Sequence, residues 1–168
     1  VLALTNGREV RILPSAQDHK RLLDQDRGPN TGGMGAYSPV SFATPGLLAR
    51  VERDVLLPTL REMEKRGASF SGVLYAGLMI DANGDPKVIE FNCRLGDPEA
   101  QVVLPLVSAG LAGAMRAIAA GDELPPLAIA NGAAVTTVLA AEGYPEAPRR
   151  GAAIRIPETL PQGVTVFH

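Results

Sequence analysis

The sequence predicts an α+β fold, an antiparallel sheet with helices, followed by the start of a small β-rich domain. Three observations carry that reading. The turn signals Asn6-Gly7 and "DANGD" (Asp81–Asp85) each separate two apolar runs, the pattern of antiparallel hairpins. Between them, Thr44-Pro45 opens a stretch in which Leu48, Val51, Val55 and Leu60 recur at roughly helical spacing. From Leu124 the texture changes to Pro, Ala and Gly with short apolar runs. The expected boundary therefore divides 1–123 from 124–168.

Taken in order, Val1–Thr5 and Glu9–Leu13 read as paired strands. Pro14–Pro39, rich in Gly, Asn, Asp and Pro, reads as a long loop, and loops of that length usually carry function. Thr44 caps a helix with Pro45 at its first position, Pro58 kinks it, and Gly67 stops it. Gly72–Ile80 reads as a strand buried on both faces, with Lys87–Asn92 as its hairpin partner. Asp97 is expected to cap a short helix that Pro105 interrupts, and Ser108 a second helix ending at Gly121-Asp122. "LPPLAIANG" reads as a linker, Ala133–Ala141 as a buried strand, and Ala152–Ile156 and Gly163–Phe167 as further strands. Because the chain opens on "VLALT" and closes on "VTVFH", both strand-like, it is expected to be a fragment of a longer protein.

Bulk properties exclude several classes. The 168 residues are 46% hydrophobic, enough for a packed core. Net charge is −2, there is no Trp, and aromatics are 4%, so neither a basic field nor a stacking platform for nucleic acid is present. The uncharged run Gln101–Met115 is shorter than the ~20 apolar residues a membrane span needs, and Leu124–Ala141 is broken by prolines and a glycine. One cysteine excludes an internal disulfide and fits a reducing compartment. Cys93 itself is expected to be a buried small residue on the face opposite Asn92.

The chemistry concentrates in "KVIEFNCRLGDPEAQ", Lys87–Gln101. Strand alternation puts Glu90 and Asn92 on one face, about 7 Å apart at the backbone. A carboxylate and an amide oxygen are hard donors suited to Mg²⁺ or Mn²⁺, which commonly keeps waters and borrows substrate phosphate oxygens. Arg94 adds a fork-shaped donor for a phosphate or carboxylate. The same pair equally suits the solvated face of an edge strand. The crowding of Glu90, Asn92, Arg94, Asp97 and Glu99 at a strand end favours a Mg-nucleotide site.

"GPNTGGMGAYSP", Gly28–Pro39, is the second candidate. Its glycines let backbone N–H groups approach an anion, and Thr31 and Ser38 add hydroxyls. The spacing is neither a Walker A loop nor a dinucleotide fingerprint, and a plain flexible loop has the same composition. Just upstream, Lys20 suits a phosphate, His19 is a general base or a bystander, and Gln17 and Asp18 suit a polar substrate or the loop itself. Tyr37 and Tyr75 are expected to pack.

Four motifs, "QDHKR" (Gln17–Arg21), "GPNTGGMGAYSP", "YAGLM" (Tyr75–Met79) and "EFNCRLGDPEAQ" (Glu90–Gln101), occur in an order that resembles the phosphoribosylamine–glycine ligase family. These are ATP-grasp ligases of purine synthesis. "GYP" (Gly143–Pro145) and "GVTVFH" resemble the start of that family's C-terminal domain. The resemblance implies the C-terminal half of an ATP-grasp domain in 1–123 and a truncated domain in 124–168. It implies that ATP phosphorylates glycine to an acyl phosphate. The amine of 5-phosphoribosylamine then displaces phosphate to give 5-phosphoribosylglycinamide. It further implies that Glu90 and Asn92 hold Mg²⁺ or Mn²⁺ and that Arg94 faces the transferring phosphate, and Lys20 is taken with Arg94 as catalytic. Gln17, Asp18, His19, Asn30, Thr31, Gly32, Gly33, Met34, Gly35 and Asp97 then serve substrate and phosphate. The implied partners are ATP, glycine, 5-phosphoribosylamine and the remainder of the chain, with no nucleic acid or membrane, in the cytoplasm.

Two departures stand out. Leu95 replaces an expected Phe, and "YAGLMI" offers no second metal carboxylate, so one carboxylate suffices or Asp97 or Glu99 assists. The family's first domain, lid and adenine contacts are expected before Val1, and 1–168 alone is not expected to be a competent ligase. Another ATP-grasp carboxylate–amine ligase or carboxylase, and a non-catalytic nucleotide-binding remnant, are the alternatives.

Overall fold

Asn6 folds the chain back on itself. Its Oδ1 accepts the N–H groups of Arg8 (3.1 Å) and Glu9 (2.9 Å), and Gly7 takes φ +94°. In the computed structural model, which describes residues 1–168, this turn joins β1 (Leu2–Thr5) to β2 (Val10–Ile12). The second turn signal also holds. Asp81 Oδ1 accepts the N–H groups of Asn83 and Asp85, both at 2.9 Å, and joins β5 (Gly72–Ile80) to β6 (Pro86–Asn92). The four strands form one antiparallel sheet in the order β2-β1-β5-β6. The fold is α+β, as expected.

One face of this sheet carries the long helix. Thr44 Oγ1 accepts the Leu47 N–H at 3.2 Å and starts α1 (Pro45–Val51). A wide π-helical turn at Glu52–Leu56 follows, then α2 (Leu57–Lys65). Pro58 has no N–H and its ring crowds the carbonyl four residues back, so the expected kink takes the form of this widened turn. Gly67, at φ +71°, ends the helix with its N–H on Glu64 O and that of Ala68 on Met63 O. Val51, Val55, Leu56 and Leu60 pack on Ala3, Val10, Leu74 and Ala76. A side chain buried like Leu56 contributes roughly 1.5–3 kcal/mol.

The other face meets α3 (Ala100–Val103), with Val102 and Val103 against Leu2, Leu4 and Leu13, and α4 (Leu111–Ala120), through Ala114. Helix α3 begins two residues later than the sequence suggests. Asp97 does not cap it; its Oδ1 accepts from Gln101 Nε2 at 2.7 Å. Gly110, not Ser108, precedes α4, because Ser108 lies in a short strand β7 (Val107–Ala109). Gly121 ends α4 at φ +73°, where expected.

Pro14–Pro39 is not a loop. It folds into a hairpin of β3 (Gln17–Leu23) and β4 (Arg27–Ser38), turning at Gln25 and Asp26 with φ +59° and +57°. The polar, glycine-rich text hid it because these strands are largely exposed. The pairing jumps from His19–Gly35 to Arg21–Asn30, so Thr31–Met34 balloon out opposite Lys20 alone.

From Leu124 the chain stays attached. Leu124 is buried, and its carbonyl accepts from Arg11 Nη2. Strand β8 (Ala128–Ile129) pairs with β7, and β9 (Ala134–Thr137) pairs antiparallel with β4. Strand β9 is shorter than predicted and not buried: Val135 is exposed. Ala152–Ile156 and Gly163–Phe167 form no ladder. Ile154, Val164 and Phe167 are exposed, so their alternation finds no surface to cover.

Candidate functional site

Strand β5 sets the face on which the site is built. Tyr75 stands directly opposite Asn92 in the ladder, and Gly77 opposite Glu90. Opposed residues of an antiparallel pair share a face. A Cβ at Gly77 would sit 3.1 Å from Glu90 Cγ, so the glycine leaves room for the carboxylate stem. The next register pair is Leu78–Val88, which leaves Ile89 as an extra residue. This bulge re-aims the end of β6 just where Glu90 begins.

Glu90 and Asn92 are brought together: Asn92 Nδ2 donates to Glu90 Oε1 at 3.3 Å. Strand β6 is the sheet edge, and Val88, Ile89 and Phe91 beside the pair are exposed. The solvated-edge description of the sequence is thus true of the backbone. Cys93 is exposed, not buried, because the chain has left the ladder there.

A cleft of about 360 Å³ runs between β5–β6 and the start of β3. Glu90, Tyr75 and Gly77 line it from one side and Gln17, Asp18 and Lys20 from another, with Leu47 and Val51 among its apolar lining. Lys20 Nζ lies 3.7 Å from Asp18 Oδ2. Gln17 Oε1 accepts from Tyr37 Oη at 2.7 Å, and His19 stacks obliquely on Tyr37 with ring centres 6.0 Å apart.

The glycine-rich bulge lies elsewhere. Thr31 Oγ1 donates to Lys20 O (2.8 Å) and accepts from Gly33 N–H (3.1 Å), while Gly32 N–H donates to Tyr144 Oη (3.0 Å). Two of its amides are therefore engaged within the protein. The bulge presses on the Asp97–Pro98 turn through Gly33. Met34 belongs to this bulge, Asn30 pairs with Arg21 at its edge, and Gly35 pairs with His19 and β9; none lines the cleft. Arg94 is exposed and donates from Nη1 to Leu95 O at 2.9 Å.

One pair escaped the sequence reading. Glu99 is only 4% exposed, accepts from Tyr75 Oη at 2.5 Å, and leaves Oε2 without a partner. Burial, reinforced by the Glu99 bond, pushes the Tyr75 phenol well above its usual range, so it remains a donor. The sequence groups Glu99 with Asp97 as an acid that could assist the metal, and only the fold reveals its burial against Tyr75.

No three His, Cys, Asp or Glu side chains converge as a metal cluster. The Glu90–Asn92 donor set is two hard oxygens at an open edge. That set suits a divalent cation that completes its shell with water and phosphate oxygens.

The family description "Phosphoribosylglycinamide synthetase, ATP-grasp (A) domain" matches residues 1–100. A phosphoribosylamine–glycine ligase of Nostoc sp. is 50% identical over 171 residues, covering 100% of this chain and 40% of that protein. One from Streptomyces coelicolor is 54% identical over 153 residues, covering 90% of this chain and 36% of that protein. The crystal structure of phosphoribosylamine–glycine ligase from Thermotoga maritima superposes with a TM-score of 0.85 at 44% identity, over 94% of this chain and 39% of that one. The chain thus spans about 40% of the length of the curated relatives it matches.

Proposed function

The chain belongs to the phosphoribosylglycinamide synthetase ATP-grasp (A) domain family, and on that premise we propose that it supplies the metal and phosphate side of a ligase. The ligase joins glycine to 5-phosphoribosylamine at the expense of ATP. In this reading the glycine carboxylate attacks the γ-phosphorus of ATP, giving glycyl phosphate and ADP. The amine of 5-phosphoribosylamine then attacks the acyl carbon and expels phosphate.

The contact of Asn92 with Glu90, beside a cleft that Gln17, Asp18 and Lys20 also line, carries the proposal. Glu90 and Asn92 would hold Mg²⁺ or Mn²⁺, which neutralises phosphate charge when bound. Lys20 offers a cation in the cleft for a phosphate oxygen. Arg94 donates from Nη1 to the neighbouring Leu95 carbonyl and has no carboxylate partner, which leaves the rest of its fork for the transferred group. Phosphoryl transfer asks for positioning and charge more than covalent help, and these residue types provide both. Gln17, Asp18, His19, the segment Asn30–Gly35 that contains the bulge, and Asp97 are the proposed substrate-facing set. We read 1–123 as the ATP-grasp portion and 124–168 as the start of a further domain, in a cytoplasmic enzyme whose partners are small molecules and the rest of its own chain. No helix is long and apolar enough to cross a membrane.

The test is ADP release by the full-length protein with 5-phosphoribosylamine generated in situ. It is run with glycine, without glycine, and with bicarbonate in its place. ADP release that needs both glycine and the amine is expected. Release driven by bicarbonate would move the chain to a carboxylase-type ATP-grasp activity, and no release under any condition would point to a nucleotide-binding remnant.

A further inference from the structure

We infer that Tyr75 and Glu99 are positioning residues that lock the Gly96–Pro98 turn onto β5 and so set where Arg94 stands relative to Glu90 and Asn92. The inference rests on the metal and phosphate roles proposed above for those three residues.

Three observations support it. Glu99 buries a carboxylate whose only protein partner is the Tyr75 hydroxyl, while Oε2 has none. Packing alone would be better served by an apolar side chain, since a buried carboxylate is costly. Tyr75 is the ladder partner of Asn92 and stands on the face shared with Glu90. The turn rests on the pair: a Cβ at Gly96 would lie 2.3 Å from Glu99 Oε2 and 3.0 Å from Tyr75 Cε1. Arg94, two residues before that glycine, bonds only to the adjacent Leu95 carbonyl. Its direction is therefore inherited from the turn, and the turn is held by the phenol–carboxylate bond.

The experiment uses the full-length protein with Mn²⁺ as the probe. Free Mn²⁺ is measured by electron paramagnetic resonance in the presence of ATP, alongside kcat and the thermal midpoint. Tyr75→Phe is expected to displace Arg94 and the ladder partner Asn92, and so to weaken Mn²⁺ binding in the presence of ATP by about 10-fold or more and lower kcat by about 10- to 100-fold, the size of effect usual for changes just outside a metal's ligands. Glu99→Asp keeps the charge but is too short to reach Tyr75, and should behave the same way. Glu99→Gln keeps the reach and an acceptor oxygen, and should stay within a small factor of the wild type.

Wild-type Mn²⁺ affinity in folded Tyr75→Phe or Glu99→Asp protein would overturn the inference. So would an intact Asp variant beside a weak Gln variant, which would make charge, not the bond, the cause. If Tyr75→Phe does not fold, the Asp–Gln contrast decides alone. The Mn²⁺ contrast among the variants, beside a wild type without glycine-dependent ADP release, overturns the ligase reading and leaves the positioning standing. A wild type that releases ADP while every variant binds Mn²⁺ normally does the reverse. A wild type that binds no Mn²⁺ overturns both.

Discussion

Gly33 and Pro98 touch so closely that a Cβ on Gly33 would stand 2.4 Å from Pro98 Cδ. Gly33 also has φ +134°, where L side chains are strained. Two motifs well separated in the sequence, the glycine-rich bulge and the turn after β6, are thus in direct contact. Gly33→Ala should destabilise the protein by about 1–3 kcal/mol, through overpacking and backbone strain together. Gly32→Ala is the control: its Cβ would meet only the tip of Tyr144 at 3.3 Å, with ordinary backbone. It should cost no more than about 0.5 kcal/mol. Chemical denaturation of both variants checks this, and equal midpoints would dissolve the contact.

Glu90→Gln and Asn92→Ala should separate chemistry from folding. The two side chains sit on an edge strand and share one hydrogen bond. Thermal midpoints should hardly move, because exposed substitutions usually stay within about 0.5 kcal/mol. Glycine-dependent turnover at low Mg²⁺ should fall by at least about 10-fold. Unchanged turnover in both variants at low Mg²⁺ would remove the metal assignment.

Arg94→Lys replaces a planar fork by a point charge. Arg94 has no carboxylate partner and lies exposed, so stability should not change. The catalytic rate should fall by about 10²–10³, the range seen when one preorganised donor is lost. A wild-type kcat in the Lys variant would refute the role.

Asp81 gives a pH signature independent of catalysis. Backbone N–H groups of Asp85 and Asn83, aided by Lys87, hold its carboxyl below the ordinary 3.8. A depressed folded pKa contributes stability that is fully present above the unfolded value. That stability is lost as pH falls through the folded value. The gap in thermal midpoint between wild type and Asp81→Ala should therefore be full at pH 7 and shrink only below about pH 3.8. A gap that does not change with pH would show that the carboxylate charge is not what the turn uses.

The parts of this fold that were legible are those where local chemistry decides. Asn6-Gly7, Asp81–Asp85, Thr44-Pro45 and Gly67 each act through their own neighbours, and each turned or capped where expected. The pairing of Glu90 with Asn92 followed from strand alternation alone. The β3–β4 hairpin was not legible, because its pairing is maintained across a bulge of four residues that no period of two reveals. Burial of Glu99 beneath Gly96, like the contact of Gly33 with Pro98, depends on segments joined only in three dimensions. Gly163–Phe167 misled in the opposite sense, since alternation describes a strand's willingness and not the presence of a neighbour.

Strand β6 has a consequence at the bench. It is an open sheet edge on which Val88, Ile89 and Phe91 are exposed beside Met79. Such an edge is a template for other copies of the same strand, and charge is what blunts it. Only Lys87 and Glu90 bring charge to β6. Glu90→Gln therefore strips one of two colloidal guards along with a candidate metal ligand. A cloudy preparation and an idle active site would then share one cause, and turnover should be compared only between monodisperse samples.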